Sequence, residues 1–351
     1  RYALVQGPMA HVSDQPLFLK AVSDAGALPF LAAAWMRRVE LQEALQKTAD
    51  ILKGRPWGVG LLGFLPSPIY DEQVEVVLAF RPPFALIAGG RVDQVKFLES
   101  KGVRTYVHAP SRTLLDLFLE EGLERIVVEG RESGGHVGPL TSFVLFDHAV
   151  NRLLARASGP GSKALFVLFA GGLPDGVSAA MVAAMVSPLV DCGVHVGFQM
   201  GSAYLFCEEA VSSGAITAQY QQELIRAART ELLVKAPGQA ERVVPTPFVK
   251  RFRSEKRALV AQGMPPEKVR EALEFLTRGR LRIATKGTKR ADGSGLVTIS
   301  EDEQHQEGLF LIGQMAALRQ TSTTMASLHE HIARESRQAI DKALPVRAKD
   351  S

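Results

Sequence analysis

The stretch RIVVEGRESGGHVGP, residues 125–139, joins a short apolar run to a glycine-rich segment that contains His136. An apolar run without polar alternation is typical of a parallel strand that is covered on both faces. Glycine loses more conformational freedom on ordering than any other residue, so its repeated use here indicates that another group approaches the backbone. The stretch therefore predicts a buried strand that ends beside a binding site. A wide turn with a solvated histidine is the alternative.

Seven further apolar runs of this kind occur in the chain, and segments with helical periodicity separate them. The runs cover residues 2–7, 28–34, 57–64, 84–90, 104–109, 164–172 and 194–201. The helical segments include residues 39–53, 92–102, 111–122 and 177–190. Eight alternations of strand and helix predict the α/β class and a (β/α)8 TIM barrel, in preference to an open doubly wound sheet.

The strand series ends near residue 208, although this barrel typically needs about 250 residues. Residues 209–305 are rich in Gln, Glu, Arg, Lys and proline, and we predict that they form an inserted, mostly helical cap or substrate domain. Helical periodicity replaces the strand rhythm in two stretches, residues 218–234 and 265–281. Residues 1–208 and 306–351 would form the barrel, with the apolar segment 308–319 and a final helix completing its outer ring.

The composition is that of an ordinary soluble globular protein, with 351 residues of which 46% are hydrophobic. No apolar run approaches the ~20 residues that a membrane-spanning helix needs, so no membrane association is expected. Cys192 and Cys207 lack the spacing of a disulfide framework or a zinc site, which indicates a reducing, cytoplasmic compartment and no metal. The chain begins without a methionine or a secretion signal, and we expect it to be part of a larger polypeptide.

The glycine-rich segments all follow predicted strands. They are QGPM (6–9), AGG (88–90), EGRESGGHVG (129–138), AGGLPDG (170–176) and QMGSA (199–203). In a (β/α)8 barrel such loops meet at one mouth, and those after strands seven and eight often bind phosphate through backbone amides and a helix N-terminus. The predicted phosphate-binding residues are Gly171, Gly172, Gly201 and Ser202. Tight turns without a ligand are the alternative.

One glycine pattern is misleading. Residues 58–63, GVGLLG, match the GxGxxG dinucleotide fingerprint, but they lie within an apolar run instead of between a strand and a helix. We therefore reject a Rossmann site. The histidines His11, His108 and His195 lie at or near strands and are expected to be structural, although His11 follows QGPM closely enough to face a ligand.

With QGPM, ESGGHVG, AGGLPDG, QMGS and GLFLIGQ in this order, the chain resembles the nitronate monooxygenase (2-nitropropane dioxygenase) family of FMN-dependent barrels. That family includes flavin-type enoyl-ACP reductases. Two longer stretches, GALPFLAAAWMR (26–37) and RPWGVGLLGFLP (55–66), are similar to the branch that serves polyunsaturated fatty acid and polyketide synthases as an enoyl reductase.

The resemblance implies that His136, in the Gly-Gly-His motif, is the catalytic histidine. The cofactor-binding residues that it implies are Gln6, Gly7, Pro8, Met9, Gly134, Gly135, Gly171, Gly172, Gln199, Met200, Gly201, Ser202, Gly313 and Gln314. The chain departs from the family in two places. Many relatives read GVN where this chain has Gly58-Val59-Gly60, so a cofactor-holding asparagine is missing, and MGT where it has Met200-Gly201-Ser202, which keeps the hydroxyl.

The implied activity is an FMN-dependent reduction of the 2,3 double bond of enoyl thioesters on acyl carrier protein, with NADPH or NADH as reductant. His136 would supply the α-carbon proton or bind the thioester carbonyl. Two alternatives stay open. One is oxidation of alkyl nitronates with FMN and O₂, with His136 as base, and the other is a non-catalytic barrel that serves as a docking module in a megasynthase.

The charge of the predicted cap gives a separate indication of its partner. Between residues 231 and 290, fifteen lysines and arginines stand against six glutamates, an excess of nine positive charges in a chain of net charge +4. A basic lip at the barrel mouth would attract an acidic carrier protein and its phosphopantetheine arm. A solvated basic helical face is the alternative. Nucleic-acid binding is not expected, and a homodimer is left open.

Overall fold

A computed structural model of the chain describes residues 2–159, 164–291 and 295–343. The strands are β1 (Leu4–Gln6), β2 (Phe30–Ala32), β3 (Gly58–Leu62), β4 (Phe84–Ala88), β5 (Arg104–Ala109), β6 (Arg125–Glu129), β7 (Gly135–Val137), β8 (Phe166–Ala170), β9 (His195–Met200), β10 (Glu231–Ala236), β11 (Gln239–Val243), β12 (Thr288–Arg290) and β13 (Leu296–Thr298). The helices are α1 (Pro16–Asp24), α2 (Arg38–Leu52), α3 (Ser67–Phe80), α4 (Val92–Ser100), α5 (Arg112–Glu120), α6 (Ser142–Ala157), α7 (Gly176–Asp191), α8 (Glu208–Ser212), α9 (Ala218–Ile225), α10 (Pro247–Ala261), α11 (Pro266–Thr277), α12 (Arg280–Lys286), α13 (Glu301–Glu307) and α14 (Met325–Ala343).

Eight of these strands form one parallel sheet in the order β1-β9-β8-β6-β5-β4-β3-β2. A parallel bridge between Val5 and Leu28 brings the two ends of the sheet together. The Leu28 carbonyl accepts a bond of 2.9 Å from the Gln6 amide, and the Leu28 amide donates one of 3.0 Å to the Leu4 carbonyl. Each of the eight predicted apolar runs contains one of these strands, so the predicted (β/α)8 barrel is confirmed.

The strands bury their two faces in two different layers. Alternate residues, among them Val5, Leu86, Val127 and Leu168, form a small cluster of their own. Because side chains alternate along a strand, this cluster fills the barrel interior, and the intervening residues join the larger core beneath the helices. The last helix, α14, packs against α7 and α1 and completes the outer ring. No helix in the described ranges is long and apolar enough to cross a membrane.

The segment between β9 and α14 holds six helices and two hairpins in its described residues. It has its own small apolar core, which includes Leu233, Val243, Phe248 and Phe252. The predicted helix over residues 218–234 is wrong in its second half, because α9 ends at Ile225 and β10 begins at Glu231. Strand β10 pairs antiparallel with β11, and this tertiary pairing overrides the helical pattern.

Strand β7 links this segment to the barrel. It lies in the loop after β6 and pairs antiparallel with β11, so the small sheet has the order β10-β11-β7. In its register His136 lies opposite Glu241, and Gly135 lies opposite Arg242. The Arg242 side chain also donates to the Arg131 carbonyl at 2.8 Å. The segment therefore supports the loop that carries the predicted catalytic histidine.

Candidate active site

A cavity opens at the carboxyl ends of the barrel strands. It has about 1170 Å³ of empty space, its open mouth included. Its walls come from the loops after β1, β6, β8 and β9 and from the segment after α13. Residues from loops that are far apart in the chain converge on this cavity, as they do in ligand-binding sites at the mouth of this fold.

The structure brings most of the predicted site residues together in this cavity. Thirteen of them line it: Gly7, Pro8, Met9, Gly134, Gly135, His136, Gly171, Gly172, Gln199, Met200, Gly201, Ser202 and Gly313. Gln6 and Gln314 do not. The Gln6 side chain is fully buried, where its Nε2 donates to the Gly7 carbonyl and its Oε1 accepts from the Phe30 amide at 3.1 Å. The Gln314 side chain is exposed, and only its amide acts locally, donating to the Glu132 carbonyl at 2.8 Å.

The floor of the cavity is the top layer of side chains inside the barrel. Most of these residues lie two positions after an interior residue of the same strand, and the others end a strand on its interior face. They are Leu62, Ala88, His108, Glu129, Ala170 and Gln199. Of these the sequence analysis identified only Gln199, and it took His108 as structural. The signal that finds the others is the period of two along a strand, counted from an interior position.

His108 contacts the two other polar side chains of the floor, Glu129 and Gln199. His108 Nδ1 lies 3.2 Å from Glu129 Oε2, and His108 Nε2 lies 3.2 Å from Gln199 Nε2. Gln199 Oε1 and, nearby in the loop after β6, Ser133 Oγ are buried without a hydrogen-bond partner among the described residues. Because an unpaired buried polar atom is costly, the two atoms indicate that a polar ligand belongs in the cavity.

The loops at the rim of the cavity that follow β6 and β8 require glycine because their backbones approach neighbouring backbone atoms closely. A Cβ atom on Gly134 would lie 2.7 Å from the Gly313 amide nitrogen. Gly171 has φ of +95°, and its Cβ atom would lie 2.8 Å from the Gly130 carbonyl oxygen. Ser202 Oγ accepts a bond of 2.7 Å from the Gly313 amide, which ties the loop after β9 to the returning segment and leaves the hydroxyl proton free to donate.

The first turn of α7 is not open to an anion, contrary to the expectation of a helix N-terminus at the phosphate. The Asp175 carboxylate accepts from the Ser178 amide at 2.9 Å, and Glu335 accepts from the Gly176 amide at 3.2 Å. Two carboxylates thus occupy this helix start. Any anion held by Gly171 and Gly172 must therefore use the amides of the loop itself.

The glycines of the rejected GxGxxG pattern serve the packing of the barrel interior. A Cβ atom on Gly58 would lie 2.3 Å from the Phe30 ring, and one on Gly60 would lie 2.2 Å from Pro8 Cβ. The asparagine that the family resemblance leads us to expect at position 60 would therefore collide with Pro8, which approaches β3 closely.

His136 lies at the rim of the cavity, where its side chain is 66% exposed. Its Nε2 is 3.2 Å from Glu241 Oε1, on the neighbouring strand β11, and its ring centre is 5.8 Å from that of Phe64. Glu241 is also within 3.2 Å of the Lys235 ammonium. The imidazole is thus held by a carboxylate of the inserted segment, while the barrel supplies the floor beneath it.

The two remaining histidines near strands do not line the cavity. His11 has a φ of +58°, and burial, with a contribution from Arg282, lowers its pKa to about 4. It is therefore neutral near pH 7 and lacks the second ring proton with which an imidazolium acts as an acid. His195 begins β9, at the far end of the barrel, where its ring stacks on Phe166 with centres 4.6 Å apart.

One family model matches nearly the whole chain, and solved structures share its fold. The profile of the nitronate monooxygenase family matches residues 1–334. A nitronate monooxygenase of Pseudomonas aeruginosa is 27% identical over 287 residues, which are 69% of this chain and 76% of that protein. FabK of Thermotoga maritima has a similar structure, with a TM-score of 0.77, 22% identity and coverage of 98% of this chain and 95% of that one. The enoyl reductase domain of MlnA from Bacillus amyloliquefaciens gives a TM-score of 0.70, 13% identity, and coverage of 98% and 96%.

Proposed function

The chain belongs to the nitronate monooxygenase family of flavin-dependent oxidoreductases, and on that premise we propose that it is an FMN-dependent enoyl reductase. Its substrates would be 2-enoyl thioesters on an acyl carrier protein, and its reductant NADPH or NADH. The observation that supports this proposal is the position of His136, exposed at the rim of the cavity and held by Glu241 of the basic inserted segment. This arrangement suits a long substrate that reaches in from a carrier.

The cavity residues fit FMN. The loop amides of Gly171, Gly172 and Gly201, with the Ser202 hydroxyl, would hold the phosphate, because glycine leaves those amides accessible. The unpaired Gln199 Oε1 and Ser133 Oγ would bond the polar groups of the cofactor. The apolar ring face would lie against Pro8, Met9 and Met200. The bound flavin would carry a hydride from the nicotinamide to the β-carbon of the enoyl thioester.

His136 would hold the proton that the α-carbon requires. Since Glu241 accepts from Nε2, the free nitrogen of the ring is Nδ1, and that atom would donate to the α-carbon or to the thioester carbonyl oxygen. Glu241 would keep the ring oriented and would compensate its charge when it is protonated. The Phe64 ring lies beside the imidazole and limits rotation of the His136 side chain.

Oxidation of alkyl nitronates is the second candidate, favoured by the relative from Pseudomonas aeruginosa. The same His136 would act as base. Anaerobic mixing of the FMN-loaded protein with NADPH, and separately with NADH, distinguishes the two activities. The reductase proposal expects rapid bleaching of the flavin by one nucleotide, followed by recovery of the colour when a crotonyl or longer 2-enoyl thioester is added.

Failure to bleach with either nucleotide would overturn the reductase proposal, and turnover of nitronates with O₂ would then support the second candidate. A protein that stays colourless after exposure to FMN would support a docking module without catalysis. Thioesters on carrier protein and on coenzyme A, assayed in parallel, test the carrier preference.

A groove on the inserted segment, lined by five basic and four acidic residues, extends the proposal to the carrier protein. Helix α12 separates this groove from the cavity, because Leu281 lines the cavity whereas Arg280 and Arg282 line the groove. Two further arginines of the groove, Arg278 and Arg290, have no carboxylate partner in the described part of the chain. We place the acidic carrier domain here, next to the mouth that its arm would enter.

Charge reversal tests this docking site. The double variant Arg278→Glu with Arg290→Glu is expected to raise KM for carrier-bound substrate about tenfold, because steering depends on the sign of the surface charge. The rate with a neutral N-acetylcysteamine thioester should stay unchanged. Lys101→Glu, at the opposite end of the barrel, is the matched control. An unchanged KM for the carrier-bound substrate would exclude the groove as the docking site.

A further inference from the structure

Three polar side chains cross the floor of the cavity from one side of the barrel to the other. Glu129 ends β6, His108 lies on the adjacent β5, and Gln199 lies on β9, which is not a neighbour of either strand. We propose that Glu129 and His108 orient the side-chain amide of Gln199, so that Gln199 presents a hydrogen-bond acceptor to the bound cofactor. This inference rests on the proposed flavin-dependent function and concerns positioning residues.

The direction of each hydrogen bond follows from the chemistry of the partners. An ionised carboxylate only accepts, so the Glu129 Oε2 atom at 3.2 Å makes His108 Nδ1 the donor. In the neutral imidazole the other nitrogen, Nε2, then accepts. Gln199 Nε2 lies 3.2 Å from it and donates, which turns Gln199 Oε1 away from His108. The two contacts therefore specify which end of the amide faces the cavity.

Packing holds the amide in this place. The Gln199 side chain is 5% exposed, and a Cβ atom on Gly7 would lie 2.9 Å from its Nε2 and 3.0 Å from its Cδ. Gly7 thus provides the space in which the amide lies. The amide has little freedom to move aside, and the remaining choice is which of its two ends points to His108.

The orphaned atom identifies what the ligand must offer. Gln199 Oε1 is buried and has no partner among the described residues, yet Gln199 lines the cavity. Leaving such an acceptor unpaired is costly, so the bound group must bring an N–H or O–H donor to this point. Among polar groups of a flavin nucleotide, a ring N–H or a ribityl hydroxyl meets this requirement, and a carbonyl edge does not.

The tautomer of His108 tests the first step without any cofactor. In apoprotein labelled with ¹⁵N-histidine, the signals of His108, assigned by their loss in His108→Asn, should show the Nδ1–H tautomer. Glu129→Leu should abolish this preference, and Glu129→Gln, which keeps an acceptor oxygen, should partly restore it. A His108 with its proton on Nε2 would overturn the proposal, whatever the enzyme catalyses.

A double-mutant cycle tests the second step by FMN binding. Gln199→Leu and Glu129→Leu should each weaken FMN binding about tenfold, and the double variant should be no weaker than Gln199→Leu alone, because Glu129 acts through Gln199. Additive losses would overturn the proposal, since a merely structural Glu129 would give them. Thermal melting tests whether each variant is folded. If Glu129→Leu does not fold, the cycle is repeated with Glu129→Gln in its place. A wild-type protein that binds no FMN would instead refute the proposed function.

Discussion

Replacing the rim histidine, His136→Ala, is expected to lower turnover of a 2-enoyl thioester about 10²- to 10³-fold while FMN stays bound. The ring lies at the mouth with most of its surface exposed, and its contacts are with Glu241 and Phe64. Removal of the ring leaves the glycine loops and the floor of the cavity in place. The chemical step therefore loses its proton donor, whereas the affinity for the cofactor changes little. Steady-state rates and the visible absorbance of the purified variant measure the two effects separately.

His195→Ala is the matched control for this variant. His195 is also exposed and makes a ring contact, with Phe166, but it lies at the opposite end of the barrel. Its turnover should equal that of the wild-type protein. If His136→Ala also turned over at the wild-type rate, His136 would have no part in the proton transfer. Loss of the flavin colour would show that the ring holds the cofactor instead.

The variant Gly171→Ala is expected to weaken FMN binding roughly 30- to 100-fold, which corresponds to about 2–3 kcal/mol. Alanine at a positive φ costs roughly 1–2 kcal/mol. In addition, the new Cβ atom would lie 2.8 Å from the Gly130 carbonyl oxygen and 3.1 Å from Ser142 Oγ, so the loop must shift. The shift displaces the amides that would hold the phosphate. Fluorescence titration of the apoprotein with FMN gives the dissociation constant.

Gly193→Ala separates backbone strain from displacement of the loop. Gly193 has a φ of +79°, but no described atom lies within 4 Å of the position of its Cβ atom. It follows α7 at the end of the barrel remote from the cavity. This control should lose some stability, on the order of 1 kcal/mol, and keep its FMN affinity. Wild-type affinity in Gly171→Ala would exclude this loop from the phosphate site.

Much of the barrel was predictable because its signals are local. Apolar runs such as residues 125–130 and 164–172 are continuous, since a parallel strand in a barrel is buried on both faces. The glycine segments after them mark the strand ends, and strand ends in this fold share one mouth. For the same reason, nearly all residues that the family resemblance implied line one cavity.

Two residues of that prediction show where the resemblance to the family is insufficient. Gln6 belongs to a glycine-rich strand end, yet its side-chain amide accepts a hydrogen bond from the Phe30 amide, where the two ends of the sheet meet. Gln314 contributes its backbone amide, because its side chain points to solvent. The side chains of consecutive residues point in different directions. A motif therefore identifies the loop that lines the site, but not which side chains of that loop enter it.

The chain by itself determined the alternation of strands and helices, the positions of the rim glycines and His136 in its loop, because each depends on residues near one another in sequence. Only the tertiary structure decided that β7 pairs with β11 and that His136 lies against Glu241, 105 residues further along the chain. It also decided that His108, Glu129 and Gln199 meet across the barrel. Contacts of this kind form only when the closing barrel brings strands that are far apart in sequence close together in space. No local pattern of residues encodes which of these residues will meet.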